Sequence, residues 1–387
     1  MRRLDTPPRA DWRRRLDEYA YGEAAAPAAV SWNESVRYEF SADEIDTIEG
    51  VANEVHGLVH DAVRHLIERR MLALISLSPK AGVMIEAGWQ DYWSGGRPQD
   101  RLGGLFGRLD FAYDGAGSLK LLGCDYDGPS GLFEASIVQW TWLQDRFPDA
   151  DQFNGLHEGL VERWRSLSVG MRNRSRVHLT CATPDVAREG ELAYLAATAT
   201  EAGIPATTLA IQDVGWDGRR FFDLDEEPID WLLKLYPWEA MLEEEYGGHL
   251  VTSGIPVLDP VWRLPASNHG LLATLWELYP EHPNLCRASL SERDLAGAKV
   301  ILRRSMLGLD HPAERLSDAS GIIAETAEAT NPGGHVHIAM PPQFEADGAR
   351  AILQAWMVGD ACLGMTVRET TDLLVGPDAA TVPHLFK

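Results

Sequence analysis

Four side chains able to bind charged ligands fall within one short stretch of the chain: Arg108, Asp110, Asp125 and Asp127. In a β-strand, residues two apart share a face, so Arg108 and Asp110 lie opposite the apolar set Leu109, Phe111 and Tyr113. The segment Asp114-Gly-Ala-Gly-Ser118 offers glycines for positive-φ turn positions. The spacing therefore predicts a β-hairpin over Phe106–Asp127. Centred on Ala116-Gly117, antiparallel pairing sets Arg108 opposite Asp125 and Asp110 opposite Gly123. One polar face then carries Arg108, Asp110, Asp125 and Asp127. Two or three carboxylates beside an arginine could hold Mg²⁺ and orient an anionic substrate. The plainer alternative is a solvated sheet face with a surface ion pair, which contributes little. A slip of one residue would send the same side chains to the other face.

Other chemistry-bearing residues are sparser. His56 and His60 stand one helical turn apart, a spacing that zinc sites use, but no glutamate follows His56 as in HExxH, so a structural role is expected. His335 and His337 share one face of a strand, and the same reading is preferred there. Cys124, Cys181, Cys286 and Cys362 form no CxxC pair and read as free thiols in a reducing cytoplasm. Trp231, Trp238, Trp262, Trp276 and Trp356 read as core rather than a cofactor box. Lysine is scarce. Of 35 basic residues only Lys80, Lys120, Lys234, Lys299 and Lys387 are lysines.

The elements that must position these residues can be traced along the chain. A helix is expected near Asp11. A longer one starts at the capping box Ser41-Ala-Asp-Glu44 and buries Ile45, Ile48, Ala52, Val55, Val59, Val63 and Leu66 on one face. After Pro129-Ser130 a helix runs through Leu132, Ile137, Trp140 and Leu143. Residues 177–211 have a β-α-β rhythm, which implies a parallel pair with a crossover helix. Trp216–Phe222 reads as a turn and short strand, Trp231–Tyr236 as a buried strand, and helices follow Pro237 and span Leu271–Leu278. Short strands are expected at Val300–Arg303, Val336–Met340, Cys362–Val367 and Leu373–Val375. The fold class is thus mixed α/β and α+β. The chain divides into an N-terminal helix and extension (1–30), which includes an Ala-rich stretch at Ala24–Ala29, a region over 31–230 that carries the hairpin, and a region over 231–387.

Composition excludes several functions. Over 387 residues, 45% are hydrophobic and 24% charged, as in ordinary globular proteins. The net charge of −23 argues against a nucleic-acid partner and against docking on anionic lipid. The first residues lack an apolar h-region and no run of 18 apolar residues occurs, so neither a secretory signal nor a membrane span is expected. A cytoplasmic location follows, and oligomeric state leaves no mark in the sequence.

Four co-linear blocks are similar to the glutathionylspermidine synthase-like family of ATP-grasp ligases. GRLDFAYDGAGSLKLLGCDYDGPSGLFEA resembles its signature of Gly-Arg-x-Asp-Phe, a short turn, Glu-Tyr-Asn-x-Asp and Glu-Ala. LLKLYPWEAMLEEEYG resembles its Lys-x-Tyr-Pro-Trp-Glu block. PVWRLPASNHGLLATLWELYPEHPNL resembles its Ser-Asn-Lys and Leu-Trp block, and AWMVGDACLGMTVRETTDLLVGPDAATVPHLFK its C-terminal block. The resemblance spans about residues 30–387 and leaves too little chain before it for a preceding amidase-like domain.

The resemblance implies an ATP-grasp fold with a pre-ATP-grasp region, the cofactors ATP and Mg²⁺, and small-molecule carboxylate and amine substrates joined through an acyl phosphate. It matches Arg108 to the arginine that steadies the transferring phosphoryl group, Arg368 to the C-terminal active-site arginine, and Asp110 to a magnesium ligand. Asp125 stands at the family's asparagine, with Asp127 beside it as a further metal ligand. Gly123 replaces the metal-binding glutamate. His269 and Arg304 stand where ATP-binding lysines are usual, and Lys234 is placed with them as a cofactor contact, a buried ion pair being the other reading. Of the usual Lys-Pro-x-x-Gly-Arg-Glu-Gly segment, otherwise only Gly308 clearly remains. Glu239 and Glu134 are assigned to substrate, Glu134, just beyond a helix start, as a partner for a cationic amine or for the positive N-terminus of that helix. A nucleotide-free binding protein that keeps the fold is the alternative function.

Overall fold

The capping box forms as the sequence predicts. Ser41 Oγ accepts from the Glu44 amide and the Glu44 carboxylate accepts from the Ser41 amide, which starts the long helix α1 (Ala42–Glu68). Its buried stripe includes Ile45, Ile48, Ala52, Val55, Val59, Val63 and Leu66. The computed structural model describes residues 1–16, 32–94, 103–169, 176–308, 312–326, 333–376 and 379–387. A short helix at Trp12–Leu16 precedes α1, and the stretch Ala24–Ala29 lies outside the described residues.

Two antiparallel strands, β1 (Phe106–Tyr113) and β2 (Leu119–Asp125), make the expected hairpin. Arg108 faces Asp125 and Asp110 faces Gly123. The pairing then shifts by one residue, because Phe111 faces Leu121, and Leu122 is left as the extra residue of a β-bulge. The bulge lets the register near the site and the tight glycine turn coexist. The apolar side of β1 (Leu109, Phe111) joins the core beneath α1.

Next in the chain comes a helix with an irregular start. Glu134–Val138 forms a π-helical turn, followed by the α-helix Gln139–Arg146. The wider turn changes the helical phase, so Gln139, Trp142 and Leu143 are buried while Trp140 is 43% exposed. The predicted β-α-β unit is present as β3 (Val177–Cys181), α2 (Val186–Glu201) and β4 (Ala206–Ala210). β3 pairs in parallel with β4 on one side and with β5 (Trp231–Leu235) on the other. Trp216 and Phe221 pair across a minimal hairpin, and the helices Trp238–Glu243 and Leu271–Leu278 form as expected.

In the C-terminal part, β6 (Val300–Ser305) and β7 (His335–Ala339) belong to an antiparallel sheet. The long strands β8 (Ala349–Val358) and β9 (Ala361–Thr370) continue the hairpin sheet, β8 pairing with β1. The expected strand at Leu373–Val375 does not form. The chain must reverse there to bring Ala380–Val382 back alongside β9, so these residues serve as the bend. Position 230 falls just before β5. The stretches on either side of it share both the parallel sheet and the hairpin sheet. No helix among the described residues is long and apolar enough to cross a membrane.

Candidate active site

Pairing with β8 puts Arg108 level with Trp356 and Asp110 level with Gln354. Arg108 donates from Nε to Asp110 Oδ1 at 2.8 Å and from Nη2 to Oδ2 at 3.2 Å. This fork is possible because residues two apart on a strand project side by side. The third direction of the guanidinium is set by the Ser130 carbonyl, which accepts from Nη1 at 3.0 Å. The Trp356 ring centroid lies 5.7 Å from the guanidinium carbon. Gln354 Nε2 donates to Asp110 Oδ1 at 3.1 Å, and Thr366 Oγ1 donates to Gln354 Oε1 at 3.2 Å.

Arg368, on β9, belongs to the same neighbourhood. Burial and the nearby Arg108 charge push its pKa below the usual arginine value, while Asp110 and Glu134 pull the other way. Two guanidiniums close enough to repel form a natural seat for a phosphoryl or carboxylate anion. The structure thus brings Arg108, Asp110, Arg368 and Glu134 together.

The other expected residues are committed to the protein itself. Both oxygens of Asp127 are occupied: Lys234 Nζ donates to Oδ1, and the Trp238 amide donates to Oδ2 at 2.6 Å. Lys234 also donates to the Tyr236 carbonyl at 3.0 Å. Burial outweighs the attraction of Lys234 and pushes the Asp127 carboxyl up to about 6. Asp125 Oδ1 accepts from Ser267 Oγ at 3.1 Å and from the Asp127 amide at 2.9 Å. Asp125 and Asp127 thus already have partners within the protein. Among the described residues no group of three or more His, Cys, Asp or Glu side chains is placed to hold a metal ion. As partnered here, these carboxylates do not fit a resident Mg²⁺.

The positions matched to nucleotide lysines are similarly engaged. Arg304 Nε donates to Glu314 at 2.5 Å, and its Nη1 donates to the Leu122 carbonyl at 2.8 Å, satisfying the bulge residue of β2. His269 is buried, with Nδ1 3.0 Å from the Ser305 carbonyl. Burial and the Arg304 charge drive its pKa down to about 3, so it is neutral at ordinary pH. A Cβ on Gly123 would lie 3.5 Å from Arg304 Nη1 and 3.9 Å from His269 Cδ2. Positions 123, 269 and 304 thus adjoin, so the three departures from the family pattern meet at one point. Glu239 Oε2 accepts from the Gly308 amide at 3.0 Å, which fixes the chain just after β6.

The histidine pairs keep the structural reading. His56 Nδ1 lies 2.7 Å from Tyr126 Oη, and its ring packs on His60. His335 Nδ1 lies 3.2 Å from an Arg303 nitrogen. Cys124 is buried, and burial pushes its thiol pKa up, which makes it unreactive. Sequence reasoning missed Gln354, Ser267 and the Ser130 carbonyl. Gln354 had a usable signal, being the one amide in an apolar strand, where a buried polar group requires a partner.

The sequence matches the family described as glutathionylspermidine synthase preATP-grasp over residues 3–387. It is 32% identical over 379 residues to a Haemophilus influenzae protein named "Putative acid–amine ligase", covering 95% of this chain and 93% of that one. It is 22% identical over 305 residues to a trypanothione synthetase of Crithidia fasciculata, covering 71% of this chain and 46% of that protein. In fold it is similar to a glutathione synthetase-like effector from Globodera pallida, with a TM-score of 0.54 at 9% identity over 97% of this chain and 96% of the other.

Proposed function

Because the chain belongs to the glutathionylspermidine synthase preATP-grasp family, we propose that it is an ATP-dependent carboxylate–amine ligase of the cytoplasm. The observation that carries this reading is the Arg108 guanidinium, forked onto Asp110 beside Arg368. The substrate carboxylate attacks the γ-phosphorus of ATP and ADP leaves, giving an acyl phosphate. The amine, once it has lost the proton of its cationic form, attacks the acyl carbon through its nitrogen lone pair, phosphate leaves, and the nitrogen gives up a second proton to form the amide. Carboxylate oxygen is a poor leaving group and phosphate a good one, so the transfer makes the acyl carbon reactive. Arg108 and Arg368 hold the phosphoryl oxygens where negative charge gathers. Asp110 and Gln354 fix the plane of Arg108. Glu134, within the field of Arg368, attracts a cationic amine. Mg²⁺ enters as the counter-ion that ATP brings.

A second reading is a small-molecule binding protein without ATP turnover. It is favoured by the neutral His269 and by Arg304 held on Glu314. Calorimetry with Mg-ATP separates the two. The ligase reading expects binding at millimolar nucleotide or better, and ADP release when a matching acid and amine are supplied. Absence of any binding at that concentration overturns it.

A further inference from the structure

The loop that leads from β2 toward the π-helical turn has no strand, and no helix before Leu132, yet it supplies the Ser130 carbonyl to Arg108. Its glycines Gly128 and Gly131 have φ of 80° and 97°, so the loop takes conformations that its own backbone does little to restrict. Buried backbone groups with no ladder partner must be met by side chains. Here they are met from one helix. Arg188 Nη1 donates to the Gly128 carbonyl at 2.8 Å, and the Leu132 amide donates to Glu191 Oε1 at 2.8 Å. Arg188 and Glu191 stand one turn apart on α2 and pair with each other at 3.2 Å. Glu191 is 3% exposed.

We infer that Arg188 and Glu191 are positioning residues: together they clamp both ends of the 128–132 loop, so that the Ser130 carbonyl holds the Arg108 guanidinium in place beside Asp110 and Arg368. This rests on the reading of Arg108 as the phosphoryl-holding group. The clamp lies on α2, in the parallel-sheet layer, whereas Arg108 lies on the hairpin sheet. The geometry of the site is therefore set across two layers. Asp110 restricts Arg108 from within its own strand, and the loop restricts it from outside the hairpin sheet. Burial pushes the Glu191 carboxyl up to about 7 and Glu134 adds to the rise, so the clamp carries an acid that is costly to keep charged.

The test uses the full chain with ¹⁵N-labelled arginine. The Arg108 Nε–H resonance is assigned by its loss in Arg108→Lys. Glu191→Leu removes the acceptor for Leu132, Glu191→Gln keeps it, and Arg188→Met serves as the second variant if Glu191→Leu fails to fold. The clamp predicts hydrogen exchange at least tenfold faster in residues 128–133 and at Arg108 Nε–H in Glu191→Leu, with most protection retained in Glu191→Gln. Unchanged exchange at either place in the folded variant overturns it. Mg-ATP affinity forms the second arm. It should fall about tenfold in Glu191→Leu and fall no further when Glu191→Leu is added to Arg108→Ala; additive losses would also overturn the coupling. If the unaltered chain binds no Mg-ATP, the ligase reading fails, while the exchange arm still decides the clamp.

Discussion

The polar face of the hairpin has two halves that treat similar side chains differently. In one half Arg108, Asp110 and Arg368 cluster as partly buried side chains, and the two guanidiniums repel each other. In the other half Asp127, Lys234, Arg304 and His269 are turned to the protein's own carbonyls, amides and carboxylates. Both halves carry an arginine and an aspartate, and the surroundings decide their use. Arg304 bonds a bulge carbonyl and a buried glutamate and so ties two parts of the fold, whereas Arg108 is held by its strand neighbour Asp110 and the Ser130 carbonyl beside a second guanidinium. Substitutions in the two halves should therefore separate stability from reaction.

The largest effect is expected from Lys234→Met. It would leave the buried Asp127 without its cation, and removing one partner of a buried pair costs about 3–5 kcal/mol. Urea denaturation checks this, and the sign of its pH dependence is defined. The Asp127 pKa is raised from 3.8 to about 6 in the fold. The folded state therefore binds the proton more tightly, and any stability tied to the neutral form is present at low pH and lost as pH rises through about 6. The destabilisation by Lys234→Met should be larger at pH 8 than at pH 5. Equal loss at both would show that Asp127 is not the group left unpaired.

Arg108→Ala tests the open half. Loss of a preorganised group that holds developing charge typically costs about 100- to 1,000-fold in turnover. ADP release in the presence of acid and amine should fall by about that factor, while the denaturation midpoint moves little. Arg108→Lys should not restore it, because a lysine cannot reproduce the fork onto Asp110. If Arg108→Ala instead unfolds the chain and leaves turnover per folded molecule unchanged, the contrast between the halves is reversed.

Arg304→Lys should have an intermediate effect of the structural kind. It gives up the paired contacts to Glu314 and the Leu122 carbonyl, and an unmade hydrogen bond to a buried group costs about 1–3 kcal/mol. Chemical denaturation should register that loss. A rise in Mg-ATP affinity in the same variant would show that position 304 retains a nucleotide role despite its contacts.

Much of this arrangement was legible in the sequence because it is local. Alternation in Phe106–Tyr113 and a glycine turn were enough to pair Arg108 with Asp125. The capping box and stripe of α1 were likewise within a few turns of each other. What the sequence could not reveal depends on distant partners. Asp127 reads as a metal ligand until Lys234, 107 residues away, is seen to take its oxygen. The bulge at Leu122 is invisible without Arg304, and Glu191 had no visible link to Arg108 because the loop between them has no periodicity. The phase change at the π-helical turn, which leaves Trp140 exposed, is also absent from a 3.6-residue pattern.

The smallest effect should come from Gly123→Ala, and it bears most directly on the contrast. Position 123 faces Asp110 across the hairpin and adjoins Arg304 and His269, so it is where the two halves meet. A Cβ there would make ordinary contacts at 3.5 and 3.9 Å, with no positive φ to strain it. Alanine in a strand interior also removes the entropic cost of glycine, about 0.5–1 kcal/mol. Stability should hold or rise by less than about 1 kcal/mol, and Arg108-dependent turnover should persist. By comparison, Gly107→Ala would set a Cβ 2.3 Å from the Tyr126 ring and should destabilise, which shows that the tolerance belongs to the site and not to glycine in general. If Gly123→Ala abolishes turnover while leaving stability intact, the space beside Arg304 is used by the reacting molecules, and the closed half belongs to the reaction after all.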